Sequence, residues 1–166
     1  MARMNGNLLY TLIHDFLTDY LPQKRNCSRH TVKAYRTALN QLLAFAKDQK
    51  QIRLIDITFD TLDGEMIAEY LDFLENTQKC SIKTRNHKLN CLRSFYSYAV
   101  MRDTSLVVYQ ADLFSIPFKK GVKVETVDYL SENAVKVLLE QPDVKRRKGV
   151  RDQFLMLLMY DTAARI

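Results

Sequence analysis

Four stretches of this chain repeat apolar residues every three or four positions, a period that fits a helix with one buried face. Leu9, Leu12, Ile13, Phe16, Leu17 and Tyr20 make the first stripe, which Pro22 is expected to close. Val32, Tyr35, Leu39, Leu42, Leu43 and Ala46 make a second, behind Ser28 as N-cap. Met66, Ile67, Tyr70, Leu71 and Leu74 give a third, and Leu89, Leu92, Phe95, Tyr96 and Ala99 a fourth that starts at Ser81. Four glycines and three prolines in 166 residues supply too few turns for an all-β sandwich. The fold class expected is therefore all-α.

From Asp103 to Asp128 the period fades, Pro117 interrupts, and KKGVKVETV alternates apolar with polar residues. That stretch reads as loop with a short edge strand. Helical signals resume behind Ser131, and FLMLLMY is apolar all round, as suits a helix buried on most sides. The division expected is a helical domain over 1–116, a linker over 117–128, and the opening of a second helical domain over 129–166.

Several kinds of chemistry lack their residues. Cys27, Cys80 and Cys91 are odd in number and show no metal-ligand spacing, and His14, His30 and His87 are scattered, so neither a disulfide framework nor a bound metal is expected. There is no Gly-rich phosphate loop and no GxSxG, and the reading calls for no cofactor and no small-molecule substrate. No apolar run is long enough to span a membrane and the start lacks a secretory signal, so a cytoplasmic protein without a membrane partner is expected.

The net charge of +6 is unevenly placed. Lys24, Arg25, Arg29, Lys33 and Arg36 fall in a window without acids, as do Lys79, Lys83, Arg85, Lys88 and Arg93. Between them Asp56, Asp60, Asp63, Glu65, Glu69, Asp72 and Glu75 occur without a Lys or Arg. Arg29, Lys33, Arg36 and Asn40 share one face of the second helix, off its apolar stripe, and Lys83, Asn86, Asn90 and Arg93 do the same on the fourth. Such rows match phosphate oxygens and base edges, whereas the acidic third helix should face away from a polyanion.

The two basic helices also start alike, CSRHT at 27–31 and CSIKT at 80–84. Ordinary capping explains each Ser taken singly; a cap joined to a basic row points to phosphate contact. The candidate nucleic-acid contacts are then Ser28, Arg29, His30, Thr31, Lys33, Arg36 and Asn40 on one helix, and Ser81, Lys83, Thr84, Asn86, His87, Asn90 and Arg93 on the other. For any single cation, a merely solvated face remains the alternative.

The succession Ser28, Thr31, Ala34, Tyr35, Leu39, Leu43, Phe45, then Ser81, Thr84, Asn86, Leu89, Leu92, Arg93, Ser94, Phe95, Tyr96, Tyr98, Ala99, resembles the N-terminal core-binding domain of tyrosine recombinases, the phage-integrase family. Leu155 to Ile166, LMLLMYDTAARI, resembles the opening of that family's catalytic domain. The resemblance implies a four-helix SAM-like domain, a linker, and the first helices of a truncated catalytic domain, together clamping double-stranded DNA. Other recombinase protomers would join in a synaptic assembly.

The resemblance also implies a reaction. A tyrosine attacks the scissile phosphodiester to form a 3′-phosphotyrosyl link, without metal or ATP, while two arginines neutralise the non-bridging oxygens. The first of these lies in the family motif where Arg165 lies here, and Ala163 stands where the family has Gly. Lys119, Lys120 and Lys123 would pass close to the DNA backbone. The remaining catalytic groups, a Lys, an HxxR pair, a His or Trp and the Tyr, are expected beyond Arg165, so these 166 residues are expected not to cleave DNA. A competing reading is a helical protein-interaction module or recombination accessory protein, docking through the acidic third and apolar last helices. A helix-turn-helix regulator fits less well, since the basic helices lie far apart in sequence.

Overall fold

The structure, a computed structural model, describes residues 2–121 and 129–163, with side chains from residue 8 onward. It divides into two compact units, Met1–Gly121 and Val122–Ile166. Every element among the described residues is helical.

Helix α1 (Ala2–Asp15) runs directly into a nine-residue π-helix, Phe16–Lys24, that carries Pro22 inside it. Pro22 was expected to end the segment. It removes one N–H from the ladder, yet the Arg25 N–H still reaches the Tyr20 carbonyl at 3.0 Å, and the wide turn carries Phe16, Leu17 and Leu21 into the core. Helices α2 (Arg29–Asp48), α3 (Gly64–Asn76) and α4 (Ile82–Arg102) begin at Ser28, Asp63 and Ser81. Each cap sits in extended backbone and accepts the N–H three residues on, at 3.2, 2.8 and 3.2 Å.

Helix α4 is the centre of this unit and packs on α2, α3 and the helix that follows it. It buries Leu89, Cys91, Leu92, Phe95, Tyr96, Tyr98 and Ala99. Phe16 meets four rings at once, with centroids 5.5 Å from Phe95, 5.2 Å from Tyr98, 5.5 Å from Tyr35 and 5.8 Å from Tyr20. On the other side of α4, Tyr96 stands edge-on to Phe59 and donates to the Leu62 carbonyl at 2.6 Å.

The stretch after Asp103, expected to be loop, forms a 3₁₀ turn (Thr104–Leu106) and a further helix, α5 (Val107–Ser115). The unit thus holds five α-helices where four stripes were legible. Among the described residues of this stretch only Leu106, Leu113 and Ile116 are buried, while Val107, Val108 and Phe114 are exposed, which hides its periodicity. A side chain on Gly64 would crowd Asp112 at about 3.0 Å, which shows how closely α5 lies on α3. The expected edge strand and Lys123 fall on residues outside the described ones.

The second unit contains α6 (Glu132–Leu139), capped by Ser131, and α7 (Arg147–Thr162). Gly149 is buried where any Cβ would stand 2.0 Å from the Asp143 carbonyl oxygen, so the turn before α7 seats directly on the helix. Phe154, Leu155, Leu157, Leu158, Met159 and Tyr160 are exposed. That corrects the expectation of a helix buried on most sides: one neighbouring helix covers too little of its surface.

Helix α7 ends on Ala163 in the left-handed conformation, φ 48° and ψ 30°. This is the position at which the family pattern has Gly, and a left-handed turn is what Gly accommodates without strain. Arg165 lies outside the described residues.

Two outcomes follow from this packing. Phe16→Ala should lower stability by about 3–5 kcal/mol in urea unfolding followed by circular dichroism, because it empties a contact with four rings. Ala163→Gly should relieve about 1 kcal/mol of backbone strain and slow amide exchange in the last turn of α7.

Candidate nucleic-acid interface

The starts of α2 and α4 are built alike. Asn26 and Lys79 both take the left-handed conformation, φ 48° and 53°. Each turns the chain so that the next residue, Cys27 or Cys80, returns its N–H to a carbonyl six residues back, Leu21 or Leu74, at 2.9 Å in both cases. A Ser cap follows. The Ser28 and Thr31 hydroxyl oxygens are 3.0 Å apart, and those of Ser81 and Thr84 also 3.0 Å. The sequence echo is therefore an echo in backbone geometry, and it leaves a pair of hydroxyls at the positive end of each helix dipole.

On α2, Ser28, Arg29, His30, Thr31, Lys33, Arg36 and Asn40 are all exposed. On α4, Ser81, Lys83, His87 and Asn90 are exposed and Thr84 is half-buried. The two rows flank residues 20–27. One groove is lined by Leu17, Pro22 and Cys27 with Arg29, Lys33, Arg36 and Asn40. The next is lined by Tyr20 and Arg25 with Asn90, Arg93 and Ser94. Tyr35 donates to the Ser94 hydroxyl at 3.3 Å and ties α2 to α4 below them.

Charge on these rows is not neutralised locally. Among the described residues Arg25, Arg29, Lys33, Arg36 and Lys83 enter no ion pair; the pairs of this unit lie elsewhere, as in Lys50 with Glu69 at 2.5 Å and Arg53 with Asp56 at 2.6 Å. Uncompensated cations along a groove hold a field that a polyanion can neutralise with release of its counterions.

Three residues expected in the contact set are engaged inside the unit. The Arg93 Nη2 donates to the carbonyls of Phe114 and Ile116 at 2.9 and 2.6 Å, and its guanidinium stands over the rings of Phe114 and Phe118. Burial and the neighbouring Arg85 press its pKa below the ordinary arginine value. Asn86 donates to the Lys119 carbonyl at 2.7 Å and accepts the Lys119 N–H at 3.1 Å. The Lys119 ammonium in turn pairs with Glu75, and with Asp72 at 3.7 Å. Lys120 is exposed.

Two features were missing from the expected contact set. Arg25, read only as part of the first acid-free window, belongs to the groove although it precedes the capped helix and lies off its face. In the second unit, Lys145, Arg146, Arg147, Lys148 and Arg151 are all exposed, and among the described residues only Arg146 and Arg151 pair with acids, Asp143 and Asp152. The run KRRKGVR itself was the signal for that cluster.

Among the described residues no group of His, Cys, Asp and Glu is placed to hold a metal ion, and no helix is long and apolar enough to cross a membrane. Tyr70 and Tyr96 are buried core residues, and burial raises their hydroxyl pKa values, which opposes nucleophilic use.

The phage-integrase N-terminal SAM-like domain matches residues 13–106. In Sinorhizobium fredii the chain is similar to a protein named "Putative integrase/recombinase y4rC", 31% identical over 158 residues, 95% of this chain and 47% of the relative. It is 29% identical over 159 residues to the y4rD protein of the same organism, 96% of this chain and 56% of the relative. Tyrosine recombinase XerD of Staphylococcus haemolyticus is 27% identical over 157 residues, 94% of this chain and 49% of the relative. The chain spans about half the length of the curated relatives it matches. No solved structure matches it.

The matched caps make a stability test of this geometry. Ser28→Ala and Ser81→Ala should each cost about 1 kcal/mol in urea unfolding, and by similar amounts, since the bonds they remove are the same.

Proposed function

The chain belongs to the phage-integrase family, and on that premise we propose that its first unit grips double-stranded DNA through α2, α4 and the turn between their rows. The observation that carries the reading is the pair of alike-built helix starts, the one on α2 followed by the exposed row Arg29, Lys33 and Arg36 and the one on α4 by the exposed Lys83, none of which enters an ion pair among the described residues. Arg29, Lys33, Arg36 and Lys83 are the phosphate contacts. Asn40, His87 and Asn90 lie beside them, with side chains suited to base edges or backbone oxygens. The hydroxyls of Ser28, Thr31, Ser81 and Thr84 add contacts at the helix starts, and Arg25 lies between the rows.

The whole protein, on this reading, carries out site-specific strand exchange with other protomers in a synaptic assembly. Arg165 supplies one of the arginines that neutralise the transferring phosphate. The exposed cations of 145–151 give the second unit its own attraction to the duplex. The boundaries 1–116, 117–128 and 129–166 then correspond to core-binding domain, linker and catalytic opening.

The exposed apolar side of α7 favours a second reading, docking of another protein. Self-association that ignores salt, with no mobility shift of a duplex, would select it.

Duplex affinity should fall steeply with salt, and each phosphate contact removed should lower the log–log salt slope by roughly 0.9. The double variant Lys33→Glu, Lys83→Glu should abolish the mobility shift while leaving the unfolding midpoint near that of the parent. Parent-like binding by that variant would refute the grip.

A further inference from the structure

Arg85 is the one charged side chain buried among the described residues, 4% exposed, and no carboxylate forms an ion pair with it or with Arg93. A buried guanidinium beside a half-buried one of the same charge needs other oxygens. Both find them in one short segment. Arg85 donates to the Pro117 carbonyl at 2.9 Å, and Arg93 to those of Phe114 and Ile116. Asn86 takes both the carbonyl and the N–H of Lys119. Five hydrogen bonds from three α4 side chains thus hold residues 114–119, which beyond α5 lie in no helix or strand of their own. Phe114 and Phe118 close over the Arg93 guanidinium at 4.9 and 4.5 Å, and Lys119 is tied to α3 through Glu75 and Asp72.

We propose that Arg85, Asn86 and Arg93 are positioning residues that fasten residues 114–119 to α4, so that the chain leaves the first unit from a fixed anchor. The purpose of that anchor rests on the DNA-grip reading: a second unit joined to the first gains effective concentration at the duplex the first has bound. The residues that continue the basic face of α4 in sequence then serve the tether, and Lys83, His87 and Asn90 are left to face the ligand.

A lysine at position 93 separates the two roles. It keeps the positive charge that a phosphate contact needs but loses the planar fork that serves two carbonyls and stacks on two rings. In the full chain, Arg93→Lys and Asn86→Ala should each speed exchange of the Lys119 amide at least tenfold and hasten tryptic cleavage after Lys119 and Lys120. The Leu92 and Phe95 amides should keep the parent's rates, which separates release of the segment from loss of the fold. If Arg93→Lys alone unfolds the unit, Asn86→Ala decides. Parent-like protection of Lys119 in Asn86→Ala overturns the proposal. Neither readout contains DNA, so a parent that fails to shift a duplex refutes the grip without touching the anchor.

Discussion

The contact of Phe16 with Phe95, Tyr98 and Tyr35 is what the arrangement of the first unit depends on. It joins the first helical segment to α2 and α4 at a single point. Because Phe16 opens the π-helix, the same contact sets where residues 20–27 run, and those residues separate the two basic grooves. A buried aromatic cluster is stiff, as close packing leaves few alternative ring placements. The cations on either side are therefore held on a surface of fixed spacing, although each is long and mobile.

Helix α4 meets three demands around its circumference. One side packs Leu89, Leu92, Phe95 and Ala99 into the core, one presents Lys83, His87 and Asn90 to solvent, and the flank between them holds Asn86 and Arg93 against the segment that leaves the bundle. Its hydrophobic pattern is accordingly blurred, since the buried Arg85 breaks the apolar side. The oxygens that the Arg85 Nη1 reaches belong to Pro117 and to its own neighbour Asn86, not to an acid, while its buried Nε has no hydrogen-bond partner. Polar burial of that kind specifies one seating of the segment, because any other would leave a guanidinium without partners.

Much of the first unit could be read directly. The stripes of α1 to α4, the caps at Ser28 and Ser81 and their common design all follow from residues three or four apart. Segments whose stability comes from elsewhere were illegible. Helix α5 is short and exposes Val107, Val108 and Phe114, so it forms because Leu113 and Ile116 have a groove to fill, not because its own period demands it. Pro22 fits inside a helix only because the turn there is π and the core holds Leu21. In α7 the apolar composition was plain, but composition could not say how much cover the neighbouring chain provides.

The sequence by itself determined the helices, their caps, the separation of basic from acidic segments and, through an ordered set of motifs, the family. These depend on local bonds and on charge, both of which are present in the chain before it folds. Only the tertiary structure decided which cations remain free. Arg93 and Asn86 share a helix with Lys83 and carry the same kinds of donor, yet their partners lie 23 and 33 residues farther along the chain. A side chain's pattern records which face it occupies on its own helix; what that face meets is set by how distant elements pack.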